Sequence, residues 1–176
     1  EYNPFHNGHL YHIRKAKEIT GADAVIVVMS GNFVQRGAPA IMPKHIRAEV
    51  ALEAGVPLVL ELPVCFSTGS AEYFAAGAVS LLEHLGCIDS ICFGSECGDY
   101  DTLEKIALAA LHEPEEYKKL LKRYLAQGIS FPLARQWALL EYFHDETLRK
   151  VLEQPNNILG IEYIKALYQK KSPIRS

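Results

Sequence analysis

Two histidines, His6 and His9, stand three residues apart in the string Asn3-Pro4-Phe5-His6-Asn7-Gly8-His9. Leu10, Ile13, Ala16 and Ile19 follow at helical spacing, with Arg14, Lys15, Lys17 and Glu18 between them, so the pair marks the entry to a helix. This spacing puts both imidazoles on one side of the first turn. A helix N-terminus carries free N–H groups and partial positive charge, which favours phosphate. Two imidazoles there can donate hydrogen bonds to phosphate oxygens as charge builds during a displacement. Gly8, without a side chain, lets a nucleotide approach the backbone, and Asn3-Pro4 supplies a turn into the helix. Two surface histidines beside a cap would explain an isolated pair. The whole string, followed by an amphipathic helix and then an apolar run, favours phosphate chemistry.

The elements that must hold this motif alternate. A helix over Gly8–Thr20 ends at Gly21, and Ala24–Met29 is a continuous apolar run of strand length, expected to be buried on both faces. Ser30–Ala40 is a polar loop, Pro43–Ala54 a second helix with Pro at its start, and Leu58–Leu62 a second strand closed by Pro63. Ser70–Leu85 reads as a third helix with Ser67 or Ser70 as its cap, Ser90–Phe93 as a short strand and Gly94–Gly98 as a turn. Strands alternating with helices predict an α/β, Rossmann-like parallel sheet with right-handed crossovers. From 99 to 153 only helical periodicity remains, broken at Pro114, Gly128 and Pro132. Asn157–Gln169 is a further helix. The expected organisation is a nucleotide-binding α/β domain over 1–98, a helical insertion over 99–153, and a helix over 154–176 returning to the nucleotide domain.

Composition sets few limits. The 176 residues are 49% hydrophobic and 22% charged with a net charge of −3, as in ordinary globular proteins, and no global positive field draws the chain to nucleic acid. No apolar run approaches a membrane span and no signal peptide is visible, so a cytoplasmic protein without a membrane partner is expected. Cys65, Cys87, Cys92 and Cys97 form no CxxC pair and read as reduced, mostly buried thiols, with no metal site expected. Glu1 lies two residues before the motif, so the start of a first strand is expected ahead of it.

The string Asn3–Leu10 resembles the HxGH signature of the nucleotidyltransferase superfamily. More narrowly, the chain resembles the bacterial tRNA(Met) cytidine acetate ligase family. That likeness is carried by Glu1–His9, Ser30-Gly31-Asn32-Phe33-Val34-Gln35-Arg36-Gly37, Glu61-Leu62-Pro63, Phe93-Gly94-Ser95-Glu96 and Pro155–Tyr163. HxGH alone is specific only to the superfamily; the combination spans almost the whole chain. The resemblance implies an enzyme that activates acetate with ATP to acetyl-adenylate and acetylates the wobble cytidine of elongator tRNA(Met), with Mg²⁺ on the phosphates. It implies His6 and His9 as catalytic residues. The nucleotide would touch Glu1, Tyr2, Asn3, Pro4, Phe5, His6, Asn7, Gly8, His9, Leu10, Tyr11 and His12, with Gly94 against the nucleoside and Asn157 as a further contact. Family members are longer, and a second Ser/Thr-and-basic phosphate motif of the superfamily has no match here. Two other functions therefore stay open: an adenylyltransferase acting on a phosphorylated cofactor precursor, and a nucleotide- or RNA-binding module without catalysis.

Other segments have two readings. Arg36 and Lys44 flank a loop at the carboxyl end of a strand, where ligands commonly bind, or they are solvated charges. Ser67–Glu72 can shape a small-carboxylate pocket, although helix capping explains it better. Glu96 suits either a ribose or a helix cap, and Asn157 an N-cap. Lys118, Lys119, Lys122 and Arg123, with Lys165, Lys170, Lys171 and Arg175, are candidate phosphate contacts or solvated helix faces. The oligomeric state is not legible.

Overall fold

Two parallel strands, β1 (Ile26–Ser30) and β2 (Leu58–Leu62), pair in register from Ile26 opposite Leu58 to Ser30 opposite Leu62 in this computed structural model, which describes residues 1–176. Their carboxyl ends are therefore level, and the loops that follow Ser30 and Leu62 leave from one rim. Helix α1 (Asn7–Thr20) precedes β1, and Gly21 ends it in the left-handed conformation that glycine adopts without strain. Helix α2 (Lys44–Glu53) connects the strands, α3 (Val64–Ser67) is a single turn after β2, and α4 (Ala71–Leu85) follows. Tyr2, Ile13, Met29, Ala51 and Val56 form the core between these elements, with Phe5, Val25, Val27, Ala48 and Val59 packed around it.

Several expectations change here. Ile26, Val27 and Val28 are only half-buried, because a sheet of two strands covers an apolar run incompletely. Ile19 is exposed, and α1 buries only Ile13 and Ala16. Ser90–Phe93 is not a strand. Ser90 makes one parallel bridge with Arg175: the Ile91 N–H donates to the Arg175 carbonyl at 2.7 Å and the Arg175 N–H to the Asp89 carbonyl at 3.0 Å. Pro173 has no N–H with which to extend the ladder. Ser70 occupies the N-cap of α4 without a side-chain cap bond, and Ser67 lies in α3, its hydroxyl donating to the Phe33 carbonyl at 3.1 Å.

The chain forms two compact units, Glu1–Phe93 with Ser172–Ser176 and Gly94–Lys171. The second is all helix: α5 (Tyr100–His112), α6 (Glu115–Ala126), α7 (Phe131–Phe143), α8 (Leu148–Leu152) and α9 (Pro155–Lys170). Asp99 caps α5 by accepting from the Thr102 N–H, and Glu113, His144 and Lys171 end α5, α7 and α9 in the left-handed region. Helix α6 packs on α7, and α9 on α5 and α8. Ile161, Ile164 and Leu167 of α9 are buried, so this helix belongs to the helical unit, and only Ser172–Ser176 lies with the first unit. Buried Glu162 of α9 pairs with Arg135 of α7 and, at 2.8 Å, with Lys165. No helix is long and apolar enough to cross a membrane.

Candidate active site

His6 is the N-cap of α1, and its Nδ1 accepts from the Gly8 N–H at 3.1 Å. His9, in the first turn, returns the bond: its Nδ1 accepts from the His6 N–H at 3.2 Å. Such reciprocal capping satisfies donors that a helix start leaves open. The two rings stack with centroids 3.8 Å apart at 27°. An Nδ1 that accepts a hydrogen bond carries no proton, so each neutral ring holds its proton on Nε2. Both Nε2–H groups are thereby left as donors at the positive end of α1.

Gly8 has a specific reason to be glycine. A Cβ there would lie 2.9 Å from Cε1 and 3.0 Å from Nδ1 of His6, in the space the ring needs to reach the Gly8 N–H. On the other side, His9 leans on Tyr2 (centroids 4.6 Å) and Phe5 (5.5 Å), and Tyr2 meets Phe5 edge-on at 4.9 Å. Burial lowers the His9 pKa to about 4, with the neighbouring His6 adding to the effect, so His9 is neutral at neutral pH. Burial also pushes the Tyr2 hydroxyl up to about 12. Tyr2 holds φ at 49°, a left-handed conformation that costs a non-glycine residue about 1–3 kcal/mol; its buried ring contacts oppose that cost. Asn3 and Pro4 form the turn, and the Asn3 Oδ1 accepts from the Ile41 N–H at 2.7 Å. Asn7 opens α1, Leu10 is half-buried and Tyr11 is exposed. His12 is half-buried, its Nε2 has no partner, and burial lowers its pKa.

The structure adds a residue that periodicity hides. Arg47, on the inner face of α2, is fully buried, and its guanidinium donates to four carbonyls: Glu1 (2.7 Å), Met42 (3.1 Å), Ser30 (3.1 Å) and Gly31. It ties the residue ahead of the motif to the end of β1 and to the approach to α2. Burial lowers its pKa, while the Glu1 and Glu61 charges oppose that. Lys44, His45 and Glu49 make α2 polar at other positions too, so the sequence does not set Arg47 apart. The loop after β1 is held by a bridge between Phe33 and Pro39, and the Glu1 carboxylate accepts from the Gln35 N–H at 2.8 Å. Arg36 is exposed, whereas Lys44 pairs with Glu61 at 2.6 Å.

Gly94 and Asn157 lie in the helical unit. A Cβ on Gly94 would meet nothing within 4 Å. Asn157 is not an N-cap, since α9 starts at Pro155 with Gln154 as cap. Its Oδ1 accepts from the N–H groups of Glu96 (2.9 Å) and Cys97 (3.2 Å), and its Nδ2 donates to the Val151 carbonyl at 3.1 Å. The Glu96 carboxylate in turn accepts from the N–H groups of Asn156 (3.2 Å) and Asn157 (2.9 Å), capping α9 from a distant turn. Lys165 is engaged with buried Glu162, and Arg123 with Glu141, while Lys119 and Lys122 are exposed. Cys65, Cys87 and Cys92 are exposed rather than buried, and Cys97 is half-buried. No group of three or more His, Cys, Asp or Glu side chains converges as a metal site.

Comparison with known proteins bears on this arrangement. Residues 1–176 match the family described as HIGH Nucleotidyl Transferase. The chain is 54% identical over 175 residues to the tRNA(Met) cytidine acetate ligase of Clostridium novyi (strain NT), covering 99% of this chain and 44% of that protein. It is 55% identical over 175 residues to the protein of the same name from Acetivibrio thermocellus, covering 99% and 42%. Among solved structures, Thermotoga maritima TmcAL bound with alpha-thio ATP superposes with a TM-score of 0.95 at 49% identity, over 99% of this chain and 43% of that one. The chain thus spans less than half the length of these relatives. With its HxGH helix start and parallel α/β core, the chain belongs to the HIGH nucleotidyl transferase family.

Proposed function

We propose that this chain is the ATP-binding part of a ligase that activates acetate as acetyl-adenylate and acetylates the wobble cytidine of elongator tRNA(Met). The observation that carries the reading is the stacked His6–His9 pair at the start of α1, with both Nε2–H groups free to donate. The names of the relatives at 54–55% identity and the ATP analogue in the Thermotoga maritima protein support it. A carboxylate oxygen attacks the α-phosphorus; the new bond joins acyl oxygen to phosphorus, and the bond to pyrophosphate breaks. The two Nε2–H groups and the helix start stabilise the charge that accumulates on the α-phosphate oxygens. The cytidine amine then attacks the acyl carbonyl, AMP leaves and the amine gives up a proton.

The first unit binds the triphosphate through Glu1–His12 in this reading. Asn157 acts by holding the turn next to Gly94, through its bonds to Glu96 and Cys97. Magnesium accompanying the nucleotide would neutralise charge on the phosphates. Exposed Lys119 and Lys122 on α6 suit backbone contacts to RNA. Pyrophosphate exchange on the full-length protein tests the reading: exchange that requires acetate supports it, and ATP binding without exchange contradicts it.

A further inference from the structure

The loop between β1 and α2 is fastened from within and from outside. Val34 is buried, its N–H donates to the Ala38 carbonyl at 2.9 Å, and the Gly37 N–H donates to the Val34 carbonyl at 3.0 Å. The Ala40 N–H donates to the Asn32 carbonyl at 2.9 Å, and the Ser67 hydroxyl holds the Phe33 carbonyl. Two further bonds tie the loop to the residues that lead into α1. The Gln35 N–H donates to the Glu1 carboxylate at 2.8 Å, and the Ile41 N–H to the Asn3 Oδ1 at 2.7 Å. The position of the loop is thereby coupled to the HxGH segment.

Two side chains of this fastened loop are left without a task. Phe33 is 49% exposed, next to buried Val34, and its ring meets no other aromatic side chain. Arg36 is exposed, makes no ion pair or hydrogen bond, and is the one charged residue between 31 and 43. Neighbouring Lys44, in contrast, is committed to Glu61 at 2.6 Å. Arg36 also holds φ at 66°, where glycine or asparagine sits with less strain than arginine. Strained residues of this kind collect at ligand-contacting positions. A merely solvated charge needs neither the strain nor an arginine.

The proposed reaction limits what can dock here. A base amine reaches an adenylate only when its base is out of the stack, and unpaired bases are received on aromatic rings. An uncommitted guanidinium suits the adjoining backbone phosphate. The Glu1 carboxylate that touches the loop is held on the Gln35 N–H.

We propose that this loop is the docking edge for the acceptor strand of the RNA: Phe33 stacks on an unpaired anticodon base, and Arg36 pairs with a phosphate beside it. The proposal rests on the acetate–tRNA ligase reading above. Its test is the affinity of the full-length protein for elongator tRNA(Met) across a series of salt concentrations, alongside acetate-dependent pyrophosphate exchange. The variants are Phe33→Leu, Phe33→Trp and Arg36→Asn. Both positions are exposed, and asparagine accommodates the left-handed backbone, so the variants test binding and not folding. Phe33→Leu is expected to weaken tRNA binding about tenfold, the scale of one base stack, and Phe33→Trp to retain wild-type affinity. Arg36→Asn is expected to weaken binding and to flatten the dependence of log affinity on log salt by about 0.7, one single-strand phosphate contact. All three keep the wild-type KM for ATP in exchange. Unchanged tRNA affinity in Phe33→Leu and Arg36→Asn overturns the docking edge while acetate-dependent exchange in wild type upholds the functional reading. Equal losses in Phe33→Leu and Phe33→Trp overturn the stacking role. A raised KM for ATP in Arg36→Asn with tRNA affinity unchanged assigns Arg36 to the nucleotide and overturns its role here. Wild-type protein that shows no acetate-dependent exchange and binds no tRNA fails the functional reading itself, and the docking edge with it.

Discussion

His6 and His9 stack at 3.8 Å while each Nδ1 accepts a backbone N–H, so one pair of side chains closes the start of α1 and still keeps two Nε2–H groups as donors. Capping and the proposed catalysis can be separated here. Asn is as good an N-cap as any residue but lacks the imidazole donor. His6→Asn is expected to keep stability within about 0.5 kcal/mol of wild type while slowing adenylate formation about 100-fold or more. His9→Ala is expected to lose the same activity and also about 0.5–1 kcal/mol of stability, because the His6 N–H loses its acceptor. Thermal unfolding and exchange rates measured on the same samples check both; wild-type rates in either variant sink the assignment.

The depressed pKa of His9 sets a pH window. The folded value of about 4 lies below the ordinary 6.5, so between them the unfolded chain binds more protons than the folded one. Stability from this group is complete above 6.5, declines as pH falls through the window, and is lost near 4. Burial lowers His12 in the same direction, so the comparison must isolate His9. Unfolding midpoints followed from pH 7 to pH 4 should fall less steeply in His9→Gln than in wild type. Parallel curves would contradict the burial argument.

Arg47 satisfies four carbonyls from three separated segments. Arg47→Met leaves them buried without donors, with an expected loss of about 3 kcal/mol or more. Arg47→Lys keeps the charge, yet an ammonium has three donors without the planar fork, so it recovers only part of that loss. Urea unfolding of both variants measures the difference; a loss under about 0.5 kcal/mol in Arg47→Met would show that the bonds are dispensable.

Glu96 and Asn157 cap each other's segments across 61 residues of sequence. Their effects are expected to be non-additive. A double-mutant cycle with Glu96→Gln and Asn157→Ala should give a coupling energy of about 0.5–3 kcal/mol. Additive losses would mean that the two caps act independently.

The geometry of the candidate site at the start of α1 is largely legible in the sequence because it is local. His6, Gly8 and His9 lie within one turn, and α1, β1, α2 and β2 follow from periodicity, Gly21 and Pro63. What sequence could not reveal depends on partners distant along the chain. Arg47 looks like one more polar residue on a helix until the carbonyls of Glu1, Ser30 and Gly31 surround it. Asn157 reads as an N-cap, but Gln154 takes that place and Asn157 turns to Glu96 and Cys97. Ser90–Phe93 has strand composition without a strand to pair with, apart from one bridge to Arg175. The exposed cysteines fail a rule of averages, which says nothing about a particular thiol. Gly8 has a geometric requirement that the sequence does not show, room for the His6 ring.

Acyl-adenylate formation through the His6–His9 pair is the proposed reaction. The most direct test is ATP–pyrophosphate exchange by the full-length protein, with and without acetate, in wild type and His9→Ala. The expected result is exchange that requires acetate in wild type and disappears in His9→Ala. Exchange that needs a phosphorylated cofactor precursor instead of acetate, or ATP binding with no exchange at all, would contradict it.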